Sequence, residues 1–566
     1  MHYIDWIVIL LYFVLIGFIA WWTGRNQKST KDYFLAGRNV GWFAIGASIF
    51  TANIGSEHIV GLAGSGASMG MAMAHWEMQA WVLIILAYFF VPFYYKSGVY
   101  TIPEFLERRF GSNVRWLLSV VSLVAYVFTK VSVTVYAGAI VFSALLPDTF
   151  GSPDNAFWVG AFATVILTGI YTVFGGMRAI LYTAAPQAVL LIAGSAVITY
   201  LGLKALGDGG VIAGWNTLVQ TASENASNFA LWRPISDAKY PWPAVMISSI
   251  IVGVWYWCTD QYIVQRVFSA KDLETARKGA LFGGILKITP VLIFLIPGMI
   301  GWALSKKAPE LYVLATNPDG SIQGDMVFPM LVTTLLPVGL RGIIVSCLLA
   351  ALMSSLASLF NSSASLFTVD IYEKLFPGKS EKHLVNVGRI ATTVVVGLGI
   401  IWIPIMRKIS DGGLYDYLQG VQSYLAPSIA SVFLLGIFWK RMNTTGAMWG
   451  LLTGFVLGML KLTAQTIFGH GKIENPAFLA WIGDFNQYYA GGVLFVICAV
   501  VIIVASKLTE EPSESQTRGL TYAWLKSDPA ACREIEASWS LSNKCFTGII
   551  LVGCLTLYIY FSFWLG

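Results

Sequence analysis

The run Ser48-Ile49-Phe50-Thr51-Ala52-Asn53-Ile54-Gly55-Ser56-Glu57-His58, followed by Gly61, Gly64 and Gly66, lies inside an apolar window at 42–69. A helix facing hydrocarbon does not crowd Asn, Glu and His together beside glycines, because each polar group there is costly unless it is partnered. Two readings fit. A helix broken near Asn53–Gly55 frees backbone carbonyls that can face a cavity and coordinate a cation. Alternatively, the glycines let helices pack closely and the polar groups bond across to their neighbours. The density of polar chemistry in so short a stretch favours the broken helix.

The chain around it is built for a bilayer. Of its 566 residues 56% are hydrophobic and 12% charged, the latter about half the usual share, and the mean hydropathy is +0.68. Such a chain cannot cover itself with polar surface, which excludes a string of soluble domains. Its apolar runs reach the ~20 residues that cross a hydrocarbon core. There are about fourteen of them, including windows at 4–23, 116–145, 156–176 and 327–368 besides the one at 42–69, so the expected fold is an all-α polytopic membrane protein. Most of the 36 Lys and Arg residues fall in loops that share one side when the N-terminus is outside. The positive-inside rule therefore places both termini outside. The net charge of +6 reflects those loops and implies no nucleic-acid partner. The first apolar segment, roughly 6–23, has Asp5 ahead of it, no basic flank and no small-residue cleavage site, so it reads as a retained helix. The six cysteines show no paired ligand spacing, fall mostly in apolar segments and read as small core residues.

Polar side chains at membrane depth mark the chemistry. Glu77, in His75-Trp76-Glu77-Met78-Gln79, can accept two hydroxyl hydrogen bonds, or it can be an interfacial carboxylate in an aromatic belt. Trp255-Tyr256-Trp257 offers flat faces on which a sugar ring could stack. Asp260 lies close enough to Arg266 and the inner loops to serve as a structural ion-pair partner. Lys287, about two turns from the cytoplasmic end of its window, either snorkels or contacts a site; Lys130 is deeper and must face protein. Ala351, Ser354, Ser355 and Ser358 recur at helical spacing, extended by Ser362 and Ser365. They form either a packing seam or a row of neutral oxygens suited to sodium. Gln419 closes the run Asp411-Gly412-Gly413-Leu414-Tyr415-Asp416-Tyr417-Leu418-Gln419 and offers one acceptor and two donors. No arginine is expected at membrane depth, which argues against a carboxylate solute. No nucleotide-binding loop, zinc-protease motif or nucleophile triad appears, so the chain reads as no enzyme and an ion gradient must supply the energy.

Tyr171-Thr172-Val173-Phe174-Gly175-Gly176-Met177-Arg178-Ala179 and Gly436-Ile437-Phe438-Trp439-Lys440-Arg441, with Gly446-Ala447 and Gly450-Leu451-Leu452-Thr453-Gly454, resemble two signatures of the sodium/solute symporters. Asn53-Ile54-Gly55-Ser56 and Trp255-Tyr256-Trp257-Cys258-Thr259-Asp260-Gln261 resemble the sodium/glucose cotransporter branch. The resemblance implies two inverted five-helix repeats with broken helices, at 42–203 and 243–438. An N-terminal helix and inner loop precede them (1–41), an external loop joins them (204–242), and three further helices with a cytoplasmic loop near 507–543 follow (439–566). It implies sugar contacts at Asn53, His58, Glu77 and Tyr256, with Tyr256 as an inner lid, and at Trp257, Lys287 and Gln419. It implies sodium held by the carbonyls of Thr51, Ile54 and Ala351 and the hydroxyls of Ser354 and Ser355. Ile59, Met73 and Tyr415 would close the outer side. Ala184 stands where members with a second sodium site carry aspartate, although Ser358 remains, so one sodium per sugar is expected. Gly253 replaces a side chain often polar in relatives. The expected activity is sodium-coupled symport of a hexose, glucose or galactose, by alternating access in the plasma membrane. The alternatives are a symporter for inositol or another small polar solute, and a sodium-dependent sugar sensor.

Overall fold

The computed structural model describes residues 2–565 apart from 26–28, 56, 98, 100, 147–148, 318–319, 410–413 and 470–475. Helices fall on every apolar window, and 11 helical segments among the described residues are long and apolar enough to cross a membrane. The remaining windows are helical too, in a different form. The window at 42–69 is interrupted, and that at 116–145 carries the helices Ser112–Ala125 and Ser132–Leu145 joined by a widened turn. The window at 156–176 is the first half of the continuous run Pro153–Leu206, which reverses at Gly176 with φ 56°. That left-handed conformation suits glycine, which has no Cβ to clash. The window at 327–368 was expected to be one span. It divides into a short helix Val327–Leu335 and the long helix Leu340–Ser365, because Pro337 and Gly339 (φ 88°) turn the chain between them.

Two spans are broken, each at the head of one half of the chain. The first runs as Trp42–Asn53, passes through Ile54 in extended conformation (φ −86°, ψ 92°), and resumes at Glu57. The second runs from Trp242 to Thr259, passes through extended Asp260 (φ −81°, ψ 125°), and continues as Gln261–Phe268. Breaks at corresponding positions of two halves are the mark of an inverted-repeat transporter core, where unwound backbone lines a cavity. The glycines after the first break also serve packing. A Cβ at Gly66 would sit 2.2 Å from the Leu295 carbonyl oxygen, and one at Gly298 would sit 1.8 Å from that of Ala63. The two readings of the opening stretch are therefore both realised, the break at 54 and the seam from 61 onward.

The helix Leu340–Ser365 is buried along nearly its whole length, in contrast to Tyr3–Gly24 and Leu541–Phe563 at the periphery. Beneath the bundle, residues 509–540 form short helices strapped to the core. Arg277 donates to the Ile535 carbonyl at 2.6 Å and to Ser538 at 2.7 Å, and Arg441 to the Thr509 carbonyl at 2.8 Å. All six cysteines are free. Four are buried as expected, whereas Cys532 is partly exposed and Cys545 exposed.

Candidate functional site

The two breaks face a common interior cavity of about 50 Å³, room for a few waters and too little for a sugar ring. It is lined by all seven residues expected to contact solute, Asn53, His58, Glu77, Tyr256, Trp257, Lys287 and Gln419. Residues 411–413 of the run that ends at Gln419 lie outside the described residues. Glu77 is fully buried rather than interfacial. Its carboxylate accepts from Lys287 Nζ at 2.5 Å and from the Tyr415 hydroxyl at 2.7 Å, and His58 Nε2 lies 3.7 Å away. Lys287 does not snorkel; it is 2% exposed and stands 5.7 Å from the centre of the Trp257 ring. Tyr256 and Trp257 meet edge to face with ring centres 5.0 Å apart. Ile59, Met73 and Tyr415 are all buried.

Asp260 is an ion-pair partner, but of Lys130 rather than of Arg266. Lys130 Nζ lies 2.5 Å from Asp260 Oδ2, and Tyr126 donates its hydroxyl to Oδ1. The same carboxylate caps the helix after the break by accepting from the Tyr262 amide at 3.2 Å. Four rings, those of Tyr126, Trp255, Tyr256 and Tyr262, surround the ammonium at 4.8–5.0 Å. Buried charge of this kind is tolerable only when paired and hydrogen-bonded. Each lysine in the cavity wall thus has a carboxylate of its own, and the lining carries no net charge from these pairs.

Against the first break lies a second, drier niche. Thr51, Ile54, Ala351, Ser354 and Ser355 are each no more than 1% exposed. Ser355 donates its hydroxyl to the Ala52 carbonyl at 3.2 Å, across from the helix Leu340–Ser365, and the Tyr262 hydroxyl donates to the same carbonyl. Ser354 Oγ is buried without a hydrogen-bond partner. The serine row therefore points into protein at the unwound backbone, an arrangement of neutral oxygens suited to an alkali cation. No cluster of three or more His, Cys, Asp or Glu side chains that could hold a metal occurs among the described residues.

Arg266 corrects the sequence reading. It lies not in a loop but fully buried on the helix Gln261–Phe268. Its Nε donates to the Ser48 carbonyl at 3.1 Å and the Ser48 hydroxyl at 3.0 Å, and its Nη2 donates to the Ser358 hydroxyl. Ser358 passes the bond on to the Ser354 carbonyl at 2.6 Å. An arginine is thus buried inside the bundle, although it does not line the cavity. Sequence reasoning also gave no role to Gln79, which is buried in the cavity wall and donates to the Ser249 carbonyl at 2.8 Å. An amide two residues beyond a membrane-depth carboxylate was the available signal.

Two broken helices around a dry polar interior define a secondary transporter of the inverted-repeat class, and the sequence comparisons resolve which one. The chain matches the Sodium:solute symporter family over residues 33–454 and belongs to that family. It is similar to sodium/glucose cotransporter 1 of Ovis aries, 38% identical over 534 residues that cover 89% of this chain and 79% of that one. It is similar to the sodium/myo-inositol cotransporter of Homo sapiens, 37% identical over 576 residues covering 95% and 78%. Among solved structures, a sodium-coupled sialic acid symporter in a substrate-bound outward-open state shares the fold, with TM-score 0.74 at 21% identity over 91% of this chain and 99% of that one. The protein is accordingly a multi-pass, sodium-coupled solute symporter and not an enzyme.

Proposed function

We propose that the protein couples inward sodium flow to uptake of a neutral polyhydroxylated ring, a hexose such as glucose or galactose, with one sodium per solute. The observation that carries this is the balance of the cavity. Its two lysines are each paired with a carboxylate, while the amide oxygens of Asn53 and Gln419 are buried with no hydrogen-bond partner among the described residues. Charge balance disfavours an ionic solute, and unpaired buried acceptors are costly until a hydroxyl donates to them. Tyr256 and Trp257 supply apolar ring faces beside them. In the resting arrangement Glu77 is bonded to Lys287 and Tyr415; solute hydroxyls entering the cavity would replace those bonds.

Sodium in this reading sits between the carbonyls of Thr51, Ile54 and Ala351 and the hydroxyls of Ser354 and Ser355. By bridging the first broken helix and the helix Leu340–Ser365, it stabilises the arrangement in which the solute contacts converge. A ligand shifts such an equilibrium only by its differential affinity for the two states, and the coupling is reciprocal. The lack of a carboxylate at Ala184, and the engagement of Ser358 by Arg266, support a single sodium. We place the protein in the plasma membrane with both termini outside and the repeats at 42–203 and 243–438.

Sodium-driven uptake in proteoliposomes, with radiolabelled hexoses and competition by myo-inositol and proline, tests the reading. Accumulation of hexose against its gradient supports it, and binding without accumulation would make the protein a sensor. The second reading is myo-inositol, favoured by the 37% identity to the human inositol relative and by the same hydroxyl chemistry; stronger competition by inositol than by any hexose would select it.

A further inference from the structure

We propose that Gln79 reads one hydroxyl of the transported solute, and that Gly253 sets this selectivity by leaving room for the Gln79 amide. The inference rests on the polyol reading above. Gln79 is 4% exposed and lines the cavity. Its orientation is fixed by chemistry: the Ser249 carbonyl, 2.8 Å away, can only accept, so the group facing it is the NH₂ and the oxygen points the other way. That oxygen has no hydrogen-bond donor among the described residues. One N–H of the amide is spent on Ser249, and the other, with the oxygen, remains for a ligand.

Gly253 stands against that oxygen. A Cβ at position 253 would lie 2.8 Å from Gln79 Oε1, 3.2 Å from its Cδ and 3.3 Å from a methyl of Val82. The first distance is below van der Waals contact, and the Val82 methyl crowds the same Cβ as well. Even an alanine here must displace the amide by a few tenths of an ångström, which degrades a hydrogen bond whose geometry is sharply distance-dependent. Gly253 is helical, on the helix Trp242–Gly253, so no backbone conformation demands glycine; the space does. The two residues are one unit, a reading group and the space that holds it.

Wild type, Gln79→Ala, Gly253→Ala and the double variant, reconstituted in proteoliposomes, are compared by competition of labelled hexose uptake with singly deoxygenated hexoses. In wild type one deoxy analogue competes about ten-fold worse than its parent, the worth of one hydrogen bond. In Gln79→Ala that discrimination vanishes while the ranking of the other analogues persists. Gly253→Ala weakens the same discrimination and adds nothing to Gln79→Ala. A uniform loss across all analogues in Gln79→Ala, or independent multiplicative effects of the two substitutions, would overturn the proposal. Should Gln79→Ala fail to fold, Gln79→Asn, which keeps the amide one methylene short, must lose the same discrimination, and retention of it overturns the proposal equally. A wild type that accumulates neither hexose nor inositol refutes the polyol reading itself, a result distinct from any variant's, and removes this proposal with it.

Discussion

The two helix breaks are chemically opposite. At the second, Asp260 caps the following helix and is closed off by Lys130 and Tyr126, so every charge is answered within the protein. At the first, Ile54 is extended, Asn53 Oδ1 and Ser354 Oγ have no partner among the described residues, and among those residues neutral hydroxyls of Ser355 and Tyr262 meet the Ala52 carbonyl. A break whose charges are answered within the protein is a structural joint, whereas one with open oxygens is a place for a ligand. The first break is the working one in this reading, and the second holds the frame from which Tyr256 and Trp257 project.

The comparison breaks most severely at the joint. Lys130→Met leaves the Asp260 carboxylate buried and unpaired, at a cost of about 3–5 kcal/mol; uptake should be lost and the thermal unfolding temperature in detergent should fall. Adding Asp260→Asn removes the orphan charge and should recover much of the unfolding temperature. Next in size is Glu77→Gln. It removes the charge opposite Lys287 and leaves one amide oxygen where Lys287 and Tyr415 had an acceptor each, so hexose uptake should fall by roughly a hundred-fold, the order of a lost charge-assisted bond with its desolvation penalty. At the working break, Ser355→Ala should raise the half-saturating sodium concentration by about ten-fold and weaken solute binding at fixed low sodium by the same factor, as read by equilibrium binding. Tyr262→Phe should be smallest. It removes one neutral hydrogen bond to the Ala52 carbonyl, about 1 kcal/mol, and should shift sodium dependence a few-fold while sparing the fold.

The first break was legible because helix-breaking glycine and polar side chains coincide in the chain, and the serine row because residues 354, 355 and 358 share a face at helical spacing. Glu77 and Lys287 were visible singly as charges at depth, but their pairing across 210 residues was not, since periodicity carries no information about which helices meet. The same limit hid the Lys130–Asp260 pair, 130 residues apart. Arg266 looked like a loop cation because it falls just past the end of an apolar window, whereas the helix Gln261–Phe268 that carries it is buried throughout. The split of the window at 327–368 had a local signal in Leu336-Pro337-Val338-Gly339, overridden by the hydropathy of its neighbours.

Binding of radiolabelled sodium to the purified chain bears on the working break most directly. Wild type should bind one sodium per chain, and a Ser354→Ala, Ser355→Ala double variant with unchanged thermal unfolding should bind none at the same concentration. Sodium binding by that variant at wild-type affinity would contradict the assignment of the ion to the first break.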